Sequence, residues 1–111
     1  MAVIPRTIKQ GDTQYVKALI SDITGADISG ATYAVAHVLD ANKTDDPDTY
    51  GWETPDPDES GPVTDAVYRV ASLVEEAALI DNARTKYRLY VRVTDVPEVL
   101  HIDCGSYTIV P

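Results

Sequence analysis

An all-β sandwich is the fold this sequence predicts, and three observations predict it. Short strand-like runs recur from Ile8 to the final residues, each punctuated by turn residues. No alternation of strands with long amphipathic helices appears, so a parallel βαβ sheet is excluded. The 111 residues are 44% apolar, enough for one domain and one modest core.

The elements follow in order. Met1 to Thr7 reads as an N-terminal arm, and Ile8-Lys-Gln-Gly-Asp-Thr13 as a turn feeding a strand. From Thr13 to Ile20 the pattern alternates, with Val16, Ala18 and Ile20 on one face. Ser21-Asp-Ile-Thr-Gly25 has turn chemistry. Thr32 to Leu39 is apolar on both faces, the pattern of a central sandwich strand. Ala66 to Ala71 is a further strand. Ser72-Leu-Val-Glu75 matches a capping box ahead of Ala77-Ala-Leu-Ile80 and predicts one short helical turn.

The clearest alternation runs from Lys86 to Thr94: Tyr87, Leu89, Val91 and Val93 face inward, and Lys86, Arg88, Tyr90 and Arg92 outward. Val99 to Cys104 and Ser106 to Val110 close the fold, divided at Gly105, where a bulge is expected. Phe is absent, and seven Tyr and one Trp supply the aromatic area at half-buried strand positions.

Residues 40–65 break this grammar. They hold nine acids (Asp40, Asp45, Asp46, Asp48, Glu53, Asp56, Asp58, Glu59 and Asp65) against Lys43, so this segment carries -8 of the net charge of -9. Four of the seven prolines lie there as well. Proline cannot pair inside a sheet and adjacent acids repel, which predicts a long acidic excursion between strands that adds nothing to the core.

Charge and cysteine usage exclude several function classes. A net charge of -9 is the wrong sign for neutralising phosphates, so no nucleic-acid partner is expected. One cysteine, Cys104, allows no internal disulfide, and the chain is expected to be made and assembled in a reducing cytoplasm. The N-terminus has no signal-peptide pattern, and no apolar run approaches the roughly 20 residues of a membrane-spanning helix.

Candidates for chemistry are few. His101-Ile-Asp-Cys104 brings a histidine, an acid and a thiol together, but a strand puts His101 and Asp103 on one face and Cys104 with Leu100 and Ile102 on the other. Core packing is the expected role of Cys104. Asp45, Asp46 and Asp48 gather carboxylates without the spacing of a calcium loop, which leaves open whether this stretch holds calcium. No catalytic residue, cofactor or metal site is expected.

Partner binding is the better prospect. Trp52, between Gly51 and Glu53 and near Tyr50, either folds back over the sheet or anchors a partner. Lys86, Arg88 and Arg92 form a basic stripe that either docks the acidic excursion of a neighbouring copy or faces the chain's own.

Taken together, these segments resemble the small Ig-like β-sandwich modules of tailed-bacteriophage virion proteins. The resemblance rests on Ile8-Lys-Gln-Gly-Asp-Thr13, Asp22-Ile-Thr-Gly25, Asp27-Ile-Ser-Gly-Ala-Thr32, Lys86-Tyr-Arg-Leu-Tyr-Val-Arg-Val-Thr-Asp95 and Gly105-Ser-Tyr-Thr-Ile-Val110. It covers most of residues 1–111 except 40–65, and its motifs encode turns and strands, not chemistry. It implies a single Ig-like antiparallel sandwich without catalytic residues, in the virion, assembled in the bacterial host cytoplasm. Such modules serve as capsid decoration proteins, as baseplate and tail-fibre adaptors, and as added domains of tail proteins. A short acidic chain ending on its last strand suits a capsid decoration or minor capsid protein. It would bind the major capsid protein of the outer lattice in multiple copies or as a homo-oligomer. A tail, baseplate or head–tail connector component is the alternative, followed by a carbohydrate-binding sandwich with Tyr50 and Trp52 as platform.

Overall fold

The structure, a computed structural model, describes residues 7–9, 14–21, 27–39, 46–74, 86–95 and 98–110. Among these residues seven strands form in chain order: β1 (Thr7–Lys9), β2 (Gln14–Ser21), β3 (Thr32–Leu39), β4 (Gly61–Thr64), β5 (Val67–Val74), β6 (Lys86–Asp95) and β7 (Glu98–Val110). They make two sheets, one ordered β1-β7-β6-β3 and the other β2-β5-β4. All neighbours are antiparallel except β1, which runs parallel to the end of β7. The all-β expectation holds among the described residues.

The core lies between the sheets. Val16, Ala18, Ile20, Val70 and Val74 from one sheet meet Val35, Leu89, Val91 and Cys104 from the other. Every inward residue predicted for 86–94 is buried. Tyrosine goes deeper than expected: Tyr33, Tyr87 and Tyr107 are all in the core. Burying a phenol requires a partner for its hydroxyl. Tyr33 donates to the carbonyl of Ile28 at 2.7 Å and stacks on Tyr68 of the opposite sheet, with ring centroids 3.8 Å apart. Tyr107 stacks on Tyr87 and lies 2.8 Å from His37 Nδ1.

Gly105 performs the role the sequence assigns it. Arg88 pairs with Ser106 and Tyr90 with Asp103, so Leu89 alone faces two residues, Cys104 and Gly105. Gly105 takes a φ of 105°, open to glycine and strained for other residues. The geometric consequence concerns side-chain direction. In an unbroken strand Cys104 and Tyr107 would face opposite ways; the extra residue resets the alternation, and both are fully buried. A single strand therefore runs through Gly105.

Three expectations need correction. Ser72 to Val74 do not open a helix; they continue β5 and pair with Val16, Tyr15 and Gln14. The Ser72 hydroxyl that would cap a helix is instead buried against His37. The helical turn over 77–80, the turn at 22–25 and residues 1–6 of the N-terminal arm lie outside the described residues.

Strand β3 is not central: it ends its sheet, and its second apolar face is covered by the excursion. The excursion itself is more structured than its composition predicts. It contains a 3-10 turn (Pro47–Thr49) and the whole of β4. Pro62 is accommodated because β4 is an edge strand, and its pairing with β5 is irregular between Pro62 and Thr64.

Candidate partner-binding face

The outward side of β3, β6 and β7 carries the side chains singled out as partner-binding. Arg92 stands opposite His101, and Tyr90 opposite Asp103, in the β6–β7 ladder. Ala36 of β3 lies beside Tyr90 in the β3–β6 ladder. Ala36 is fully buried although it points away from the core, so another layer must lie over it.

That layer is the first half of the excursion. Thr49 Oγ1 donates to the Asp46 carbonyl at 2.8 Å and closes the 3-10 turn. Trp52 Nε1 donates to the Pro47 carbonyl at 3.0 Å, fixing the indole across that turn. Glu53 then exchanges two backbone hydrogen bonds with Val35, at 2.7 and 2.9 Å, and so occupies the centre of the free edge of β3. Proline at 47 and 55 stiffens the segment at positions that donate nothing to a ladder.

These contacts lower aromatic rings onto the sheet. Tyr50 packs on Tyr90 with centroids 4.9 Å apart, and Trp52 on His101 at 5.6 Å. The Arg92 guanidinium sits 4.9 Å from the Trp52 ring centroid, a cation–π contact. Burial, and next its hydrogen bond with Tyr50, push the Tyr90 hydroxyl up to about 12, so it stays protonated. Arg88 pairs with Asp103 at 2.9 Å. Asp48 approaches His101 Nε2 at 3.4 Å, yet no well-aligned hydrogen bond forms there. Lys86 is exposed at the start of β6.

Trp52, Tyr50 and Arg92 therefore converge, and of the basic stripe it is Arg92 that the excursion covers, while Arg88 is held by Asp103. Tyr90 completes the cluster. Its outward position was legible in the alternation of β6, but no sequence signal linked it to Tyr50, which is forty residues away.

The second half of the excursion fastens to the other sheet. Asp56 accepts from the backbone of Asp58 and Glu59 and from the Tyr15 hydroxyl at 3.3 Å. Its own N–H donates to the Ala71 carbonyl. Glu59 pairs with Lys17 at 3.3 Å. An open groove runs along Glu53, Pro55 and Pro57 beside Ser72 and Leu73.

Cys104 is buried, its thiol pushed up to about 12 by that burial, and so is a poor nucleophile. His101 and Asp103 do face away from Cys104. Among the described residues no group of three or more His, Cys, Asp or Glu is arranged to hold a metal ion, and Asp45 lies outside them. No helix is long and apolar enough to cross a membrane among the described residues.

One polar cluster was missed from sequence. His37 reaches Tyr107 Oη at 2.8 Å through Nδ1 and Ser72 Oγ at 2.7 Å through Nε2, joining the two sheets through a buried hydrogen-bond chain. Burial pushes His37 down to about 4, so it is neutral near pH 7. Its inward position follows from the alternation of Tyr33, Val35 and His37, but its partners lie on separate strands.

No family model matches the chain, and neither a curated protein nor a solved structure matches it. The β-sandwich is therefore established by the architecture alone.

Proposed function

We propose that the chain is a non-enzymatic structural protein of a tailed-bacteriophage virion, a capsid decoration or minor capsid protein. In this role it binds the major capsid protein of the outer lattice and reinforces contacts between capsomers. The observation that carries this reading is the aromatic and cationic layer of Tyr50, Trp52, Tyr90 and Arg92, clamped to a sheet face by an acidic segment. Such a layer offers rigid aromatic anchors with a charged rim, the composition that partner-binding hot spots favour. A sheet order of β1-β7-β6-β3 over β2-β5-β4 is also the order in which Ig-like sandwiches arrange their strands, with one edge strand parallel to the last. This supports the Ig-like reading and, through the sequence resemblance, the virion role.

The test is to add purified protein to expanded capsids that lack it and image the particles by electron cryo-microscopy. Ordered density at regular exterior lattice positions, abolished by Trp52→Ala, is the expected result. Bare capsids with the protein on tails would overturn it in favour of a tail, baseplate or connector role.

A further inference from the structure

A sheet edge is a row of unpaired N–H and C=O groups, and proteins usually blunt it. Of the four edges among the described residues, three are blunted by recognisable means. β1 is only three residues long. β4 has four residues, a proline and an irregular register. β3 has Glu53 hydrogen-bonded across its centre. β2 differs from all of these. Its eight residues pair with β5 in unbroken register, contain neither proline nor glycine, and have no partner on the other side among the described residues. Leu19, on the outward face of this strand, is 47% exposed.

We infer that β2 is a dimerisation edge, pairing antiparallel with β2 of a second copy to make one six-stranded sheet across the two chains. Charge and register both favour a second copy as occupant. Whole copies of a chain carrying -9 repel one another, but residues 14–21 contain no acid and one base, Lys17, already paired with Glu59. The strand itself therefore adds no like-charge repulsion to a pairing of copies, with Asp56 and Glu59 held to its outward face at Tyr15 and Lys17.

The register follows from side-chain direction. Directly opposed residues share a face, so inward residues must oppose inward residues. Centring the twofold on Lys17 would set two ammonium groups against each other. Centring it on Ala18 opposes Val16 to Ile20 of the partner, Lys17 to Leu19, and Tyr15 to Ser21. The two exposed Leu19 side chains then become diagonal neighbours, within mutual reach. This register keeps both cores facing inward and pairs seven residues of each strand. It closes as a dimer and does not propagate as a ring or fibre.

Sedimentation equilibrium of the full chain tests the inference without reference to any capsid. The expected result is twice the 12.1 kDa chain mass at micromolar concentration. Leu19→Lys should weaken self-association at least tenfold, with an unchanged circular dichroism spectrum. As a check on register, mixing Lys17→Cys chains with Leu19→Cys chains under mild oxidation should cross-link faster than either variant alone. A wild-type chain that remains monomeric at hundreds of micromolar would overturn the inference, as would a dimer insensitive to Leu19→Lys. Cross-linking no faster in the mixture would overturn the Ala18-centred register.

Discussion

Strands β3 and β2 have the same length and end different sheets, yet they meet solvent in opposite ways. β3 is buried on both faces, with Ala36 covered from outside, and its edge is taken by Glu53. β2 is buried on one face, carries exposed Leu19 on the other, and has an edge without a partner among the described residues. The difference originates in the excursion. Its first half caps β3 and layers Tyr50 and Trp52 over the sheet, while its second half reaches β2 at Tyr15 and Lys17, both on the outward face. An acidic, proline-rich segment can thus act as a third layer when its aromatics have a sheet to cover and its prolines fall where no ladder donor is needed.

The comparison can be broken at its shared foundation first. His37 of β3 holds Ser72 of β5, the strand that also pairs with β2. Its folded value of about 4 lies below its ordinary 6.5, so the unfolded chain binds the extra proton in that window. Stability from this group is therefore full above pH 6.5 and falls as the pH drops toward 4, by on the order of 3 kcal/mol. Urea unfolding at pH 7 and pH 4 should show this decline, and His37→Gln should flatten the acid limb.

Next in size is Gly105→Val. Placing a β-branched residue at a φ of 105° should cost about 1–3 kcal/mol, and chemical denaturation reads it directly. The damage falls on the Cys104 and Tyr107 side of the sandwich and should leave Trp52 fluorescence in the folded state unchanged.

Trp52→Ala removes the part of the layer that lies on His101 of β7 and Arg92 of β6. The indole is half-buried and lies against the Arg92 guanidinium, so deleting it should cost about 1–2 kcal/mol in urea unfolding. Adding Arg92→Gln to this variant should cost less than it does in the wild type, because both changes remove the same cation–π pair.

The smallest effect belongs to β2. At concentrations where the chain is monomeric, Leu19→Lys should alter stability by no more than about 0.5 kcal/mol, since Leu19 is largely exposed within its own chain. The unfolding midpoint compared below and above the concentration at which the chain dimerises separates this from any effect on association.

Local pattern made most of the sandwich legible. Period-two alternation located β6 and its inward set, and Gly105 marked the bulge, because both are properties of adjacent residues. What stayed hidden depends on contacts between distant segments. Ser72 to Val74 carry a helix-start signal that loses to eight paired residues of β2 and to the His37 bond. β3 looked central because two apolar faces imply two covering layers, and sequence could not reveal that one of them is the acidic excursion. The candidate face was half legible: Trp52, Tyr50 and the basic stripe were visible as residues, but that they belong together was not.

Amide hydrogen exchange followed by NMR tests the central claim, that the excursion is a packed layer of the fold. The account predicts that the Glu53 and Val35 amides and the Trp52 indole N–H exchange slowly, within reach of the β6 amides. Free exchange of Glu53 and the indole, with β6 still protected, would contradict it and leave the aromatic face without the clamp that builds it.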